Sequence, residues 1–142
     1  MYIKRLISDQ IKNKILQSSK VVIMYGARQV GKTTLVNHLV DELPLKTLQI
    51  DAEDSRYTEV LSRKNIDHLK SLVSGYELVV IDEAQQIPEI GTTLKLIHDH
   101  IPEIRVIATG SSSFDLSNKI MEPLTGRHWS YTLYPIPTAN LQ

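Results

Sequence analysis

The sequence predicts an α/β domain in which a parallel sheet is flanked by helices on both faces. Short apolar runs rich in β-branched residues alternate with segments of helical spacing, as in βαβ units. The apolar runs are continuous, which favours strands buried on both faces. The chain has 142 residues, the length of one domain, and no segment reads as a linker. We therefore expect a single domain over residues 1–142.

Each element follows from its own pattern. Ile7, Ile11 and Ile15 stand four residues apart, which predicts an amphipathic helix over about 8–18. Helices are also predicted from the end of the glycine loop to Pro44, once or twice within 54–73, and over 90–101. The predicted strands are 21–25, 46–51, 77–82, 105–109 and about 128–134.

The stretch GARQVGKT, residues 26–33, matches the Walker A or P-loop pattern G-x-x-x-x-G-K-[ST] in full. Gly26 lets the chain leave the first strand at angles that a Cβ would oppose, and Gly31 lets the backbone approach a phosphate. The amides of the loop then form an anion-binding nest before a helix N-terminus. The predicted nucleotide-binding residues are Gly26, Ala27, Arg28, Gln29, Val30, Gly31, Lys32, Thr33 and Thr34.

Three side chains at the start of the next helix have distinct predicted roles. Lys32 reaches the β- and γ-phosphates, and the Thr33 hydroxyl binds Mg²⁺. Thr34 supplies a second hydroxyl in the first turn, next to the α-phosphate. The alternative is an incidental Gly-rich turn, but the strand before the loop and the helix after it favour phosphate binding.

A second acidic motif, of the Walker B kind, ends the strand of residues 78–81. The carboxyl end of this buried strand delivers Asp82 to the edge where ligands lie in open α/β sheets. Asp82 is predicted to hold Mg²⁺, and Glu83 to act as the general base for an attacking water. The alternative is a pair of solvated carboxylates at a strand end.

A polar cluster, residues 109–113, follows the fourth predicted strand. If the third and fourth strands flank the P-loop strand, Thr109 or Ser111 hydrogen-bonds the γ-phosphate or the attacking water. This is the sensor position of additional-strand P-loop ATPases, and Ser111 is predicted to be catalytic there. Ser112 or Ser113 can instead cap a short helix around 114–119, and both roles stay open.

Four motifs together resemble a prokaryotic group of AAA-like ATPases. They are GARQVGKTTL, VVIDEAQ, ATGSSSF and LTGRHWSYTLYP, in this order and spacing. The resemblance implies an ATP-binding P-loop NTPase core with the additional-strand sheet order 5-1-4-3-2. It also places Arg127 at the family's arginine position, as a γ-phosphate sensor in its own or a neighbouring subunit. The alternative is a surface arginine paired with a carboxylate such as Glu122.

The end of the sequence departs from that family. Its members continue past LYP into a long C-terminal region of unknown function, whereas this sequence stops at Gln142. We expect a core truncated in this way to lack a lid over the nucleotide. We therefore expect ATP binding to survive better than turnover, because closure and subunit contacts often complete such sites.

The charge and the apolar content of the sequence limit the functions that it can have. The formal net charge is zero, so charge does not support a nucleic-acid footprint, and no apolar run is long enough to cross a membrane. The expected function is Mg²⁺-dependent hydrolysis of ATP to ADP by a cytoplasmic protein, with a homo-oligomer or a protein as partner. Three alternatives stay open: a nucleotide-gated binding module with little turnover, half of a nucleic-acid motor, and a small-molecule kinase.

Overall fold

A computed structural model describes residues 2–26, 31–111, 119 and 122–133, with side chains described from residue 6 onward. The helices are α1 (Tyr2–Gln17), α2 (Lys32–Glu42), α3 (Ser55–Arg63), α4 (Ile66–Val73) and α5 (Ile90–His100), with a 3₁₀ turn at Ala84–Gln86. The strands are β1 (Val21–Tyr25), β2 (Thr47–Asp51), β3 (Leu78–Asp82), β4 (Arg105–Gly110) and β5 (His128–Thr132). The alternation of strands and helices predicted from the sequence is therefore confirmed.

The strands form one parallel sheet in the order β2-β3-β4-β1-β5. This is the predicted order 5-1-4-3-2, read from the other edge. β4 separates β1 from β3, so β1 has β4 and β5 as its neighbours. The sensor role predicted for Thr109 or Ser111 assumed that β3 and β4 both flank β1. Only β4 does so. All five strands run in one direction, so their carboxyl ends meet at one edge of the sheet.

Helices cover both faces of the sheet, and alternate residues of each central strand supply the two cores. On one face, α1 and α2 pack on Val22, Met24, Val80 and Ile107. On the other face, α3, α4 and α5 pack on residues one position away, including Ile23, Ile81 and Ala108. Because side chains alternate across a strand, burial on both faces requires the continuous apolar runs seen in the sequence.

The N-terminal helix begins earlier than the sequence predicts, at Tyr2 rather than near residue 8. No glycine or proline precedes Ile7, and Ile3 continues the four-residue spacing, so nothing in the sequence stops the helix there. At its other end the helix stops at Gln17. No helix within the described ranges combines the length and apolar character needed to cross a bilayer.

The other predicted boundaries are close to the observed ones. β5 covers 128–132 of the predicted 128–134, and residue 134 lies outside the described residues. The segment 54–73 forms two helices because Lys64, at φ 55°, ends α3 in the left-handed region. Asp54 and Asn65 then cap α3 and α4 by accepting backbone N–H bonds, which is the usual role of these residue types.

We predict that Leu94→Ala lowers the free energy of unfolding by about 2–5 kcal/mol, because it leaves a cavity between α5 and the sheet. Leu94 is 0% exposed. The matched control is Leu16→Ala on α1, where the side chain is 50% exposed, with an expected change of roughly 0.5 kcal/mol or less. Urea unfolding followed by circular dichroism measures both. Equal effects of the two substitutions would contradict the packing described here.

Candidate active site

A cavity of about 380 Å³ opens at the carboxyl ends of the strands. It is lined by Lys32, Thr33, Asp51, Glu53, Asp82, Glu83 and Thr109. These residues come from the start of α2 and from the ends of β2, β3 and β4. The structure thus brings the glycine-loop lysine and the acidic pair together, as the sequence predicts. Ligands of open α/β sheets bind in this position.

The glycine loop enters α2 through a left-handed residue. Gly31, directly before Lys32, has φ 86° and ψ 23°, a conformation that favours glycine over any residue with a Cβ. At the other end of the loop, the Gly26 amide donates to the Gly110 carbonyl at 3.2 Å. The predicted phosphate contacts of Ala27, Arg28, Gln29 and Val30 lie outside the described residues and stay predictions.

Lys32 is the first residue of α2, and its side chain is turned into the protein. Only 4% of the residue is exposed, and its Nζ donates to the Gly26 carbonyl at 2.6 Å. The ammonium therefore lies against the first residue of the glycine loop. Thr33 and Thr34 follow in the first turn and are both exposed, and Thr33 lines the cavity.

Asp82 is the last residue of β3, and its Oδ1 accepts a hydrogen bond from the Thr109 hydroxyl at 3.1 Å. Burial raises the pKa of the Asp82 carboxyl above its ordinary value, and the Thr109 hydrogen bond opposes this effect. The carboxylates of Glu83 and Asp51 raise the pKa further, whereas the Lys32 ammonium lowers it. On balance, these surroundings disfavour the charged form of the Asp82 carboxyl.

Glu83 follows Asp82 in the left-handed region, at φ 55°. This backbone conformation turns the chain sharply into the 3₁₀ turn that follows. The Glu83 Oε1 accepts a hydrogen bond from the Ser111 hydroxyl at 2.7 Å. Ser111 therefore contacts the predicted general base directly. The alternative capping residues, Ser112 and Ser113, lie outside the described residues.

Sequence reasoning missed two acidic residues of the cavity, Asp51 and Glu53. Asp51 ends β2 and pairs in register with Asp82, and its Oδ1 accepts the Glu53 amide at 2.9 Å. The signal was available, because the predicted strand KTLQID ends in an aspartate just as ELVVID does. Parallel neighbouring strands that both end in aspartate place the two carboxylates at one edge.

The structure contradicts one of the two roles predicted for Arg127. Its carbonyl accepts from the Val21 amide at 2.9 Å, at the amino end of the sheet. The P-loop follows the other end of β1, about 16 Å away at roughly 3.3 Å per residue. An arginine side chain does not span that distance, so sensing of its own subunit's γ-phosphate is wrong. Arg127 instead pairs with Asp99 at 3.1 Å, and not with Glu122.

The fold and the site together define a P-loop nucleoside-triphosphatase domain of the additional-strand type. The sheet order, the glycine loop between β1 and α2, and the acidic pair after β3 are the features that define this class. The family is also clear from comparison with known proteins. A family model described as AAA domain matches residues 18–141, and the chain belongs to that family.

Curated relatives are longer than this chain. Uncharacterized proteins of Mycobacterium bovis and Mycobacterium tuberculosis are each 33% identical to it over 128 residues. The match covers 89% of this chain but 28% of each mycobacterial protein. The replication factor C large subunit of Haloarcula marismortui is 33% identical over 73 residues, which are 48% of this chain and 14% of that protein.

Solved structures share the fold at low sequence identity. The Walker-type ATPase of Pyrococcus abyssi superposes with a TM-score of 0.63 at 18% identity, over 95% of this chain and 54% of its own. DnaA from Aquifex aeolicus, bound to AMPPCP, gives a TM-score of 0.60 at 14% identity, over 89% and 44% of the two chains. These likenesses support the P-loop fold.

We predict that Asp82→Asn raises the free energy of unfolding at pH 7, and that this gain disappears in acid. A carboxyl whose pKa is higher in the folded state destabilises the fold when it is charged. The gain should therefore be complete above the raised pKa, shrink as the pH falls through it, and vanish below the ordinary value of 3.8. Urea unfolding from pH 7 to pH 3 measures it.

The matched control for this substitution is Glu103→Gln in the exposed loop between α5 and β4. It should change the free energy of unfolding by less than about 0.5 kcal/mol at either pH. If the Asp82→Asn variant were no more stable than the wild type at pH 7, the electrostatic account of Asp82 would be wrong.

Arg127→Ala should leave the affinity of the isolated chain for ATP unchanged, because Arg127 lies at the opposite end of the sheet. Its ion pair with Asp99 is about one-third exposed on each side, so the loss of stability should be at most about 1 kcal/mol. Calorimetric titration measures the affinity. Weaker ATP binding by a monomeric variant would contradict the position assigned to Arg127.

Proposed function

We propose that this domain binds ATP with Mg²⁺ and hydrolyses it to ADP and phosphate. One observation carries the proposal: one cavity is lined by the buried lysine of the glycine loop, by the Asp82 carboxylate and by Glu83, whose Oε1 accepts a hydrogen bond from the Ser111 hydroxyl. Membership of the AAA domain family supports the proposal. The AMPPCP-bound state of the Aquifex aeolicus protein, which has the same fold, supports a triphosphate as the ligand.

Phosphate binding rests on α2 and the residues that precede it. The first-turn amides of α2 and the positive end of its dipole attract an anion to this point. Lys32 adds a charge that is already buried, and its contact with Gly26 keeps the ammonium at the mouth of the loop. Phosphate oxygens are stronger acceptors than the Gly26 carbonyl and would replace it as the partner of Nζ.

The charge balance of the cavity favours a divalent cation. Among the described residues, four carboxylates line it, from Asp51, Glu53, Asp82 and Glu83, and one ammonium, from Lys32. A triphosphate brought alone to these carboxylates would meet strong repulsion. Magnesium ions bind hard oxygen ligands, and the Thr33 hydroxyl and the Asp82 carboxylate supply them in the same cavity.

Thr33 and Asp82 would therefore hold the Mg²⁺ that accompanies the nucleotide. When bound, Mg²⁺ neutralises charge that develops on the phosphate oxygens during transfer. The Thr109 hydroxyl, donating to Asp82 Oδ1, fixes the direction of that carboxylate. Thr109 thereby acts as a positioning residue for the metal ligand.

Hydrolysis needs a base beside the γ-phosphate, and we assign this role to Glu83, whose side chain lines the cavity. Water attacks the γ-phosphorus while the bond to the β,γ-bridging oxygen breaks, and the water proton passes to the Glu83 carboxylate. Lys32 stabilises the negative charge that builds up on the phosphate oxygens. Ser111, directly after β4, donates its hydroxyl to Glu83 and so acts on the proposed base.

Segments or subunits outside this domain are also part of the proposed function. The chain spans 28% of the length of its mycobacterial relatives, so their whole activity is not that of this domain alone. Arg127, paired with Asp99, is either a surface arginine or a sensor for a neighbouring subunit's nucleotide, and the sensor role requires a homo-oligomer. Thr34, exposed in the first turn of α2, is assigned to the α-phosphate.

The cytoplasm, where ATP is abundant, is the proposed location.

We predict that calorimetric titration shows Mg²⁺-dependent binding of ATP to the wild-type chain. Lys32→Ala should weaken that binding by about 10- to 100-fold, which corresponds to the loss of one charged hydrogen bond. A parallel titration with GTP tests base preference, because the roles proposed for the described lining residues concern phosphate, metal and water, and none concerns the base. Equal affinity of the wild type and the Lys32→Ala variant would refute the phosphate site.

Glu83→Gln should abolish most ATP turnover while ATP affinity stays within about threefold, because the amide cannot accept the water proton. Release of phosphate under saturating ATP measures turnover. If the wild type binds ATP but releases phosphate no faster than the variant, the domain is a nucleotide-gated binding module. If single-stranded DNA stimulates turnover, and this stimulation disappears as the salt concentration rises, a nucleic-acid motor is favoured instead.

A further inference from the structure

Gln85 is a polar residue of the site that neither sequence reasoning nor the proposed mechanism uses. It lies in the 3₁₀ turn two residues after Glu83, and it is partly buried. Its Nε2 donates to Glu83 Oε1 at 2.8 Å and also lies within 3.3 Å of Ser111 Oγ. Together with the Ser111–Glu83 hydrogen bond, these contacts join the three side chains in a closed triangle.

The triangle restricts rotation of the Glu83 side chain. A glutamate has several rotatable bonds, and ordering such a side chain costs on the order of 1–2 kcal/mol. Two donors on Glu83 Oε1, Ser111 directly after β4 and Gln85 in the 3₁₀ turn, fix the plane of the carboxylate. The direction of Oε2, the second oxygen of the proposed base, is then set by the same two hydrogen bonds.

The orientation of the Gln85 amide follows from its neighbours. If the amide were reversed, its oxygen would face the Glu83 carboxylate and two acceptors would meet without a proton between them. In the observed orientation, Gln85 Oε1 is buried and has no hydrogen-bond partner within the described residues.

The backbone of Gln85 is anchored separately from its side chain. Its carbonyl accepts a hydrogen bond from Lys119 Nζ, and the amide of the next residue, Gln86, donates to the Glu83 carbonyl at 3.0 Å. Neither bond depends on the Gln85 side chain. A substitution at this position that preserves size should therefore leave the turn in place.

We propose that Gln85 is a positioning residue for the catalytic base: its amide, acting with Ser111, holds the Glu83 carboxylate in the orientation that accepts the water proton. The inference deepens the proposed hydrolysis and rests on it. Gln85 acts through Glu83 and does not itself touch the nucleotide. Its loss should lower the rate of the chemical step and leave nucleotide binding intact.

The test substitutes Gln85→Met, which keeps the unbranched side chain and removes the donor. We expect kcat to fall by about 10- to 100-fold, the usual cost of a catalytic group that is displaced by about 1 Å, with ATP affinity and the thermal midpoint unchanged. Gln86→Met is the matched control, because Gln86 is exposed in the same 3₁₀ turn, and it should keep the wild-type rate. A wild-type kcat for Gln85→Met, or an increase that indicates a released inhibitory contact, overturns the proposal.

A double-mutant cycle separates positioning from a general structural role. In the Glu83→Gln background, Gln85→Met should cause no further loss of the single-turnover rate, because the group it orients is already absent. A further loss of equal size in that background overturns the proposal. If Gln85→Met does not fold, Gln85→Glu has the same size and cannot donate at neutral pH, and it should lower kcat at least as much.

The experiments distinguish a failure of the proposed hydrolysis from a failure of the positioning role of Gln85. If the wild type and Glu83→Gln turn over ATP equally slowly, the proposed hydrolysis itself is wrong, and the role of Gln85 falls with it. If Glu83→Gln loses turnover but Gln85→Met and Gln85→Glu do not, the hydrolysis stands and only the positioning role is overturned.

Discussion

The position of β4 between β1 and β3 is the constraint on which the site depends. At its carboxyl end, β4 is linked to both neighbours: the Gly110 carbonyl accepts the Gly26 amide, and the Thr109 hydroxyl donates to Asp82. One residue later, the Ser111 hydroxyl donates to Glu83. The start of the glycine loop and the acidic pair, more than 50 residues apart in sequence, are therefore held together through consecutive residues of a single strand end.

The chemistry of the site comes at a cost to the fold. The β3 strand is buried on both faces, and it ends by placing Asp82 where burial and neighbouring carboxylates all disfavour its charge. Lys32 is an ammonium with 4% exposure. Nothing in packing requires either charge. Buried charges of this kind are retained where a ligand satisfies them, and a triphosphate with its cation carries both of the required signs.

Much of the fold was predictable because its signals are local. The continuous apolar runs of β1 and β3 predict strands buried on both faces, and the two glycines and Lys32 predict the loop and the helix after it. Local signals also set the limits of the prediction. The start of α1 was predicted too late, since no residue before Ile7 breaks a helix. The left-handed residue that ends α3 is Lys64 and not a glycine, so the sequence does not mark that helix end. Gln85 was missed because its role depends on Ser111, which is distant in sequence, whereas Asp51 carried a local signal, the aspartate that ends KTLQID, that was not used.

The sequence by itself determined the class of domain and the residue types of its site, because the glycine spacing, the strand-end carboxylates and the apolar periodicity are properties of short segments. Only the tertiary structure decided which of these residues meet. It placed Ser111 and Gln85 on Glu83, added Asp51 beside Asp82, and moved Arg127 to the opposite end of the sheet from its own glycine loop. The physical reason is that strand order and register set distances between segments, and no local pattern of residues encodes those distances.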